Sequence, residues 1–152
     1  MKKIITTLGV SLLLCPVASA ADVAPQDVTV SGMAVDTSLT GTAGDPAAGR
    51  EIFSTKSEGN CLACHTNSEI ENAQFPGNVG RTMDGVASRW EPAQLRAILV
   101  NSKAVFGKGT IMPGFYTLDV GIDVADEYKG KTILSAAEIE DVVAYLATLK
   151  GE

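Results

Sequence analysis

Cys61-Leu62-Ala63-Cys64-His65 is the stretch whose residue types and spacing could do chemistry. Two thiols separated by two residues, with an imidazole directly after the second, form C-x-x-C-H, the attachment pattern of a c-type haem. The thiols can add across the two vinyl groups of one porphyrin. His65 then stands under the iron as proximal ligand. It is the only histidine in the chain. Rival readings fit less well. A redox dithiol of the thioredoxin kind wants a βαβ context, and none surrounds the motif. A structural zinc site wants about four N or S ligands, and two thiols with one imidazole fall short. A disulfide across two residues is strained.

A six-coordinate haem needs a second axial ligand, and no second histidine exists. Beyond the first 20 residues the methionines are Met33, Met83 and Met112. A thioether is a soft, neutral ligand that favours the ferrous state and raises the potential. Met112 lies in a glycine- and proline-bounded loop far along the chain from His65, and such a loop can close over the opposite haem face. Met83 follows His65 closely, in a segment expected to stay on the proximal side, where it reads as a gap-filling core residue. Loop position favours Met112.

The elements that must position these groups are helices. Asp45 can cap a first helix, with Pro46 in its opening turn. Ala48, Ile52 and Phe53 supply the apolar face, and Gly59 ends the segment before the haem motif. Phe75 to Trp90 is too rich in glycine and proline for a long element. A second helix is expected from Pro92, with Leu95, Ile98 and Leu99 as its buried stripe and Asn101 as its end. In the last helix Ser135 and Glu138 form a capping box. Ile139, Val142, Val143, Leu146 and Leu149 follow at helical spacing. Residues 117–131 are weakly patterned.

Residues 1–20 read as an export signal. Lys2 and Lys3 precede an apolar run, and Ala18-Ser19-Ala20 is a small-residue cleavage site. Large Leu14 before Cys15 argues against lipidation. The mature chain would start at Ala21 in the periplasm, with no membrane anchor. Cleavage removes two of the 12 basic residues and none of the 18 acidic ones, which takes the formal charge from −6 to −8. Such an acidic product is a poor nucleic-acid binder. Cys15 also leaves, so no free thiol remains beyond the haem pair, as suits an oxidising compartment. The expected organisation is a signal at 1–20, an irregular extension at 21–44 and one domain at 45–152. The extension is either loosely ordered or an arm packed on the domain or a partner.

The order helix, C-x-x-C-H, G-V-x-x-R (Gly85 to Arg89), helix, Met112-Pro113 loop and terminal helix with VVAYLATL (Val142 to Leu149) resembles the monohaem class I cytochromes c over residues 45–150. Four stretches narrow the resemblance: FPGNVG (Phe75 to Gly80), NSKAVFG (Asn101 to Gly107), TIMPGFY (Thr110 to Tyr116) and ILSAAEIEDVVAYLATLK (Ile133 to Lys150). With them the chain is similar to the SoxX cytochromes, small subunits of the SoxAX complexes of sulfur oxidation. The resemblance implies an all-α, class I cytochrome c fold with long loops around one covalent haem c. It implies attachment at Cys61 and Cys64 and axial ligation by His65 and Met112. One position departs from the class pattern. Gly80-Arg81-Thr82-Met83 stands where G-P-x-L is usual. The proline carbonyl there normally accepts a hydrogen bond from the proximal imidazole, and the Arg81 carbonyl can do the same.

The resemblance also implies partners. They are a SoxA-like cytochrome subunit, through the complex a sulfur-carrier protein, and an electron-accepting cytochrome. The complex acts as an L-cysteine S-thiosulfotransferase, which joins thiosulfate oxidatively to a carrier cysteine. The residues agree with a subunit that has no catalytic group of its own. With both thiols in thioethers and the one imidazole on iron, no obvious nucleophile or general base remains, and the 18 carboxylates read as a solvated face. Phe75, Ile111, Phe115 and Tyr116, in loops flanking the haem, are expected to face the partner; the other reading is that they simply cover the haem. The alternative is a free-standing periplasmic electron carrier.

Overall fold

A computed structural model describes residues 21–71, 73 and 76–151. The expected signal at 1–20 lies outside the described residues, as does Phe75. The described elements are three α-helices, α1 (Pro46–Ser54), α2 (Pro92–Phe106) and α3 (Ala136–Leu146), with four short 3-10 turns between and before them. Among the described residues no helix is long and apolar enough to cross a membrane.

Local chemistry starts each helix. Asp45 accepts from Ala47 N at 2.8 Å, with Pro46 in the first turn. Gln94 Oε1 accepts from Glu91 N at the start of α2. At α3 Ser135 N donates to Glu138 Oε2 (2.6 Å) and Glu138 N donates to Ser135 Oγ (3.3 Å), the reciprocal capping box. Helix α3 packs against both other helices. It meets α1 so closely that a Cβ on Gly49 would fall on the Asp141 backbone carbonyl. Beside that crossing Phe53 and Tyr145 meet edge to face, 5.7 Å between centroids. Ile139, Val142, Val143, Leu146 and Leu149 are all buried, as their spacing predicts.

Helix α2 departs from expectation at Asn101. The backbone there leaves helical space (φ −152°, ψ 88°), then a further helical turn runs to Phe106. The side chain explains the restart. Asn101 Oδ1 accepts from Lys103 N at 3.2 Å and from Ala104 N at 3.3 Å, acting as an internal cap. Asn101 therefore kinks the helix instead of ending it. The buried surface of α2 also differs from the expected stripe: Arg96, Ala97, Val100 and Ser102 are buried with Leu95 and Leu99, while Ile98 is only half-buried.

The segment 21–44 is a packed arm. Val35 and Leu39 belong to the core. Val35 N donates to Ala93 O (2.9 Å) and Val23 N to Leu39 O (2.8 Å). A buried ion pair fixes the arm to two helices. Arg96 Nε and Nη2 donate to the two oxygens of Glu140 at 2.7 and 2.9 Å. Arg96 Nη1 also donates to Val35 O (2.8 Å), and Leu39 N donates to Glu140 Oε1 (2.8 Å). Every polar group of the pair is thereby occupied, which such burial requires.

Candidate haem site

Asn60 enters the left-handed region (φ 51°), which asparagine tolerates, and turns the chain into a 3-10 turn at Cys61–Ala63. Cys64 N (3.1 Å) and His65 N (2.9 Å) both donate to Cys61 O. The turn puts the two thiols and the imidazole into one local cluster. Neither cysteine is in a disulfide. Burial pushes the Cys61 thiol up to about 12, with Cys64 adding to the rise. A redox dithiol needs a depressed thiol, so this environment speaks against that reading.

The segment after the motif folds back under it. Gly77 N donates to Leu62 O (2.8 Å), Gly80 N to Cys64 O (2.9 Å) and Met83 N to Thr66 O (2.8 Å). His65 Nδ1 lies 2.7 Å from Arg81 O. A carbonyl only accepts, so Nδ1 carries the proton and the Nε2 lone pair is left for a metal. The expectation that Arg81 replaces the usual proline carbonyl therefore holds. Gly80 supports the ring from one side, since a Cβ there would land on the imidazole. Sequence reading took Gly80 only as a loop former. Its motif place beside Arg81 was the available signal.

Met112 lies outside that cluster, on a separate loop. Like Cys61 and Leu62, it is half-buried against the common core. Met83 packs there too, as a core residue should. Met33 is largely exposed. The Met112 loop is fastened to α2 on both sides of the kink. Phe115 N donates to Leu99 O (2.9 Å), and Ser102 Oγ lies 2.6 Å from Met112 O. These fastenings correct one expectation. Phe115 and Tyr116 are 6 % exposed, and the Tyr116 hydroxyl donates to Val23 O (2.8 Å), so they are core residues and not a partner surface. The fastened loop backbone and the arm draw them inward. Ile111 is 79 % exposed and remains available.

The residues fit a covalent haem. Cys61 and Cys64 could form the thioethers, His65 has a free Nε2 backed by a cradle, and Met112 offers a thioether from a second loop. The family described as Cytochrome c matches residues 46–150. A chain in the crystal structure of SoxXA from P. pantotrophus is 42 % identical with a TM-score of 0.78, over 86 % of this chain and 99 % of that one. The crystal structure of the c-type cytochrome SorU from Sinorhizobium meliloti matches at 29 % identity and a TM-score of 0.44, over 70 % of this chain and 92 % of that one. No curated protein matches the sequence. The chain belongs to the cytochrome c family, within which it is a SoxX-like monohaem cytochrome carrying one covalent haem c.

Proposed function

We propose that the chain is the small electron-transfer subunit of a periplasmic SoxAX-type complex that joins thiosulfate to a cysteine of a sulfur-carrier protein. The observation that carries this reading is the 42 % identity to a chain of SoxXA across nearly the whole of that chain. Cys61 and Cys64 would hold the haem covalently, and His65 and Met112 would supply the protein's ligands to its iron. When bound, the haem takes up and releases single electrons. The chain's residues do the rest. Arg81 O orients the imidazole through Nδ1, Gly80 fixes the ring plane, and the fastened loop presents the Met112 thioether. Residues 45–152 form the haem domain, and the arm at 21–44 braces it.

The partner is a SoxA-like cytochrome, which supplies the nucleophile this chain lacks. Ile111 and Val79 are exposed neighbours of the two proposed ligand regions, at 79 % and 64 %. Exposed apolar groups beside a redox centre suit the desolvated middle of an interface. The test uses the mature haem protein. Thiosulfate-dependent loading of the carrier should appear only when a SoxA-type subunit is added, and Ile111→Asp should weaken that association about tenfold or more with the haem spectrum unchanged. Full activity of the isolated chain, or no association at micromolar concentration, would leave the free-standing carrier as the better reading.

A further inference from the structure

We infer that Asn101, Ser102 and Lys103 act together as a clamp that positions Met112, setting how firmly its thioether is held at the iron. The inference rests on Met112 being the distal ligand. In an unbroken helix Lys103 N and Ala104 N would donate to Leu99 O and Val100 O. At the kink both donors are served by Asn101 Oδ1. The two carbonyls accept instead from Phe115 N (2.9 Å) and Tyr116 N (3.2 Å), the residues just after Met112-Pro113-Gly114. One asparagine thus turns two helical carbonyls into anchors for the C-terminal side of the loop.

The restarted turn delivers two side chains to the loop itself. Ser102 is fully buried, and its hydroxyl lies 2.6 Å from Met112 O and 3.2 Å from Pro113 O. Its single proton serves the nearer carbonyl. Lys103 Nζ donates to the same Met112 O at 3.0 Å and to Thr110 O at 3.3 Å. A buried hydroxyl and an ammonium on the ligand's own carbonyl fix its Cα, and so shrink the volume the thioether can explore. A charge-assisted bond is the stronger of the two. Held on the carbonyl of the proposed ligand, the Lys103 charge would oppose the ferric state and raise the potential.

Competition by added imidazole at the ferric iron reads this clamp directly, because imidazole must displace Met112. Ser102→Ala and Lys103→Met should each raise imidazole affinity about fivefold, the factor for one net hydrogen bond. The double variant should raise it further. Both should lower the midpoint potential and weaken the red charge-transfer band, and Lys103→Arg should restore it. Amide exchange at Phe115 and Tyr116 should quicken in Asn101→Ala. If Asn101→Ala does not fold, the Ser102 and Lys103 variants decide. Unchanged imidazole affinity and potential in these two, whatever their thermal stability, overturns the clamp while Met112 stays a ligand. A charge-transfer band that survives Met112→Ala overturns the ligand assignment instead, and the clamp falls with it.

Discussion

Replacing Glu140 by Leu should be among the costliest single changes in the chain, although Glu140 lies far along the sequence from the haem motif. The pair it forms with Arg96 is buried, with side-chain exposures of 4 % and 10 %. Removing the carboxylate leaves a guanidinium without its counter-charge in a place water reaches poorly, which typically costs about 3–5 kcal/mol. Leu39 N also loses its acceptor. Against a total stability of about 5–15 kcal/mol, a loss of about 4 kcal/mol is large. At about 4 °C per kcal/mol for a domain of this size, the melting point should fall by about 15 °C. Thermal unfolding of the mature holoprotein, followed by circular dichroism, measures it. The arm should also become protease-sensitive, since Val35 and Leu39 are held by the same two side chains. The companion variant Arg96→Met/Glu140→Leu removes both charges and should lie within about 2 kcal/mol of wild type, the two orphaned backbone groups being its main loss. A single variant within about 1 kcal/mol of wild type, or a double variant as damaged as the single one, would refute the reasoning.

Two further changes test the site. Gly80→Ala places a Cβ on the His65 ring, so haem ligation should be lost or weakened, seen as a high-spin shift in the visible spectrum; an unaltered low-spin spectrum would show that the ring does not rest there. Asp84 accepts from Ser68 N and Oγ at 2.8 and 3.0 Å, and the Ser68 backbone bond, foremost among its neighbours, holds its carboxyl below the ordinary value. A depressed carboxyl stabilises the fold above its unfolded pKa of about 3.9 and loses that contribution as pH falls through the folded value. Asp84→Asn should therefore flatten the acid limb of stability below about pH 4, and an acid limb of unchanged slope would contradict the assignment.

What the sequence displayed and what it hid divide by range. The haem motif, the Asp45 cap and the Ser135–Glu138 box are local chemistry, complete within a few residues, and the structure forms both caps as read. The arm was undecided because its fastening is long-range. Arg96 and Glu140 look like ordinary surface charges on their helices until the two helices are packed together. Phe115 and Tyr116 were read outward because glycine and proline surround them, and such loops usually run over the surface. The Leu99 and Val100 carbonyls draw this one in. Asn101 breaks the helical backbone but does not end α2, although its type had suggested an end. That its side chain also restarts the helix depends on φ and ψ at one residue, which residue type alone does not specify.

The two sides of the haem are held by different physics, and the difference bears on where tuning can occur. On the proximal side covalent bonds and a short backbone ladder, Gly77 to Leu62 and Gly80 to Cys64, leave His65 little freedom. The proposed distal ligand Met112 has no such covalent tether, so its hold on the iron would depend on how rigidly α2 presents its kink. Arg96 is little more than one turn before Asn101, and its guanidinium ties α2 both to α3 through Glu140 and to the arm through Val35 O. The ion pair therefore stiffens the stretch of α2 whose carbonyls carry the Met112 loop. With Met112 as the proposed ligand, arm, ion pair, kink and loop lie in one series of contacts, in which loosening an early member should cost distal precision without touching the haem motif.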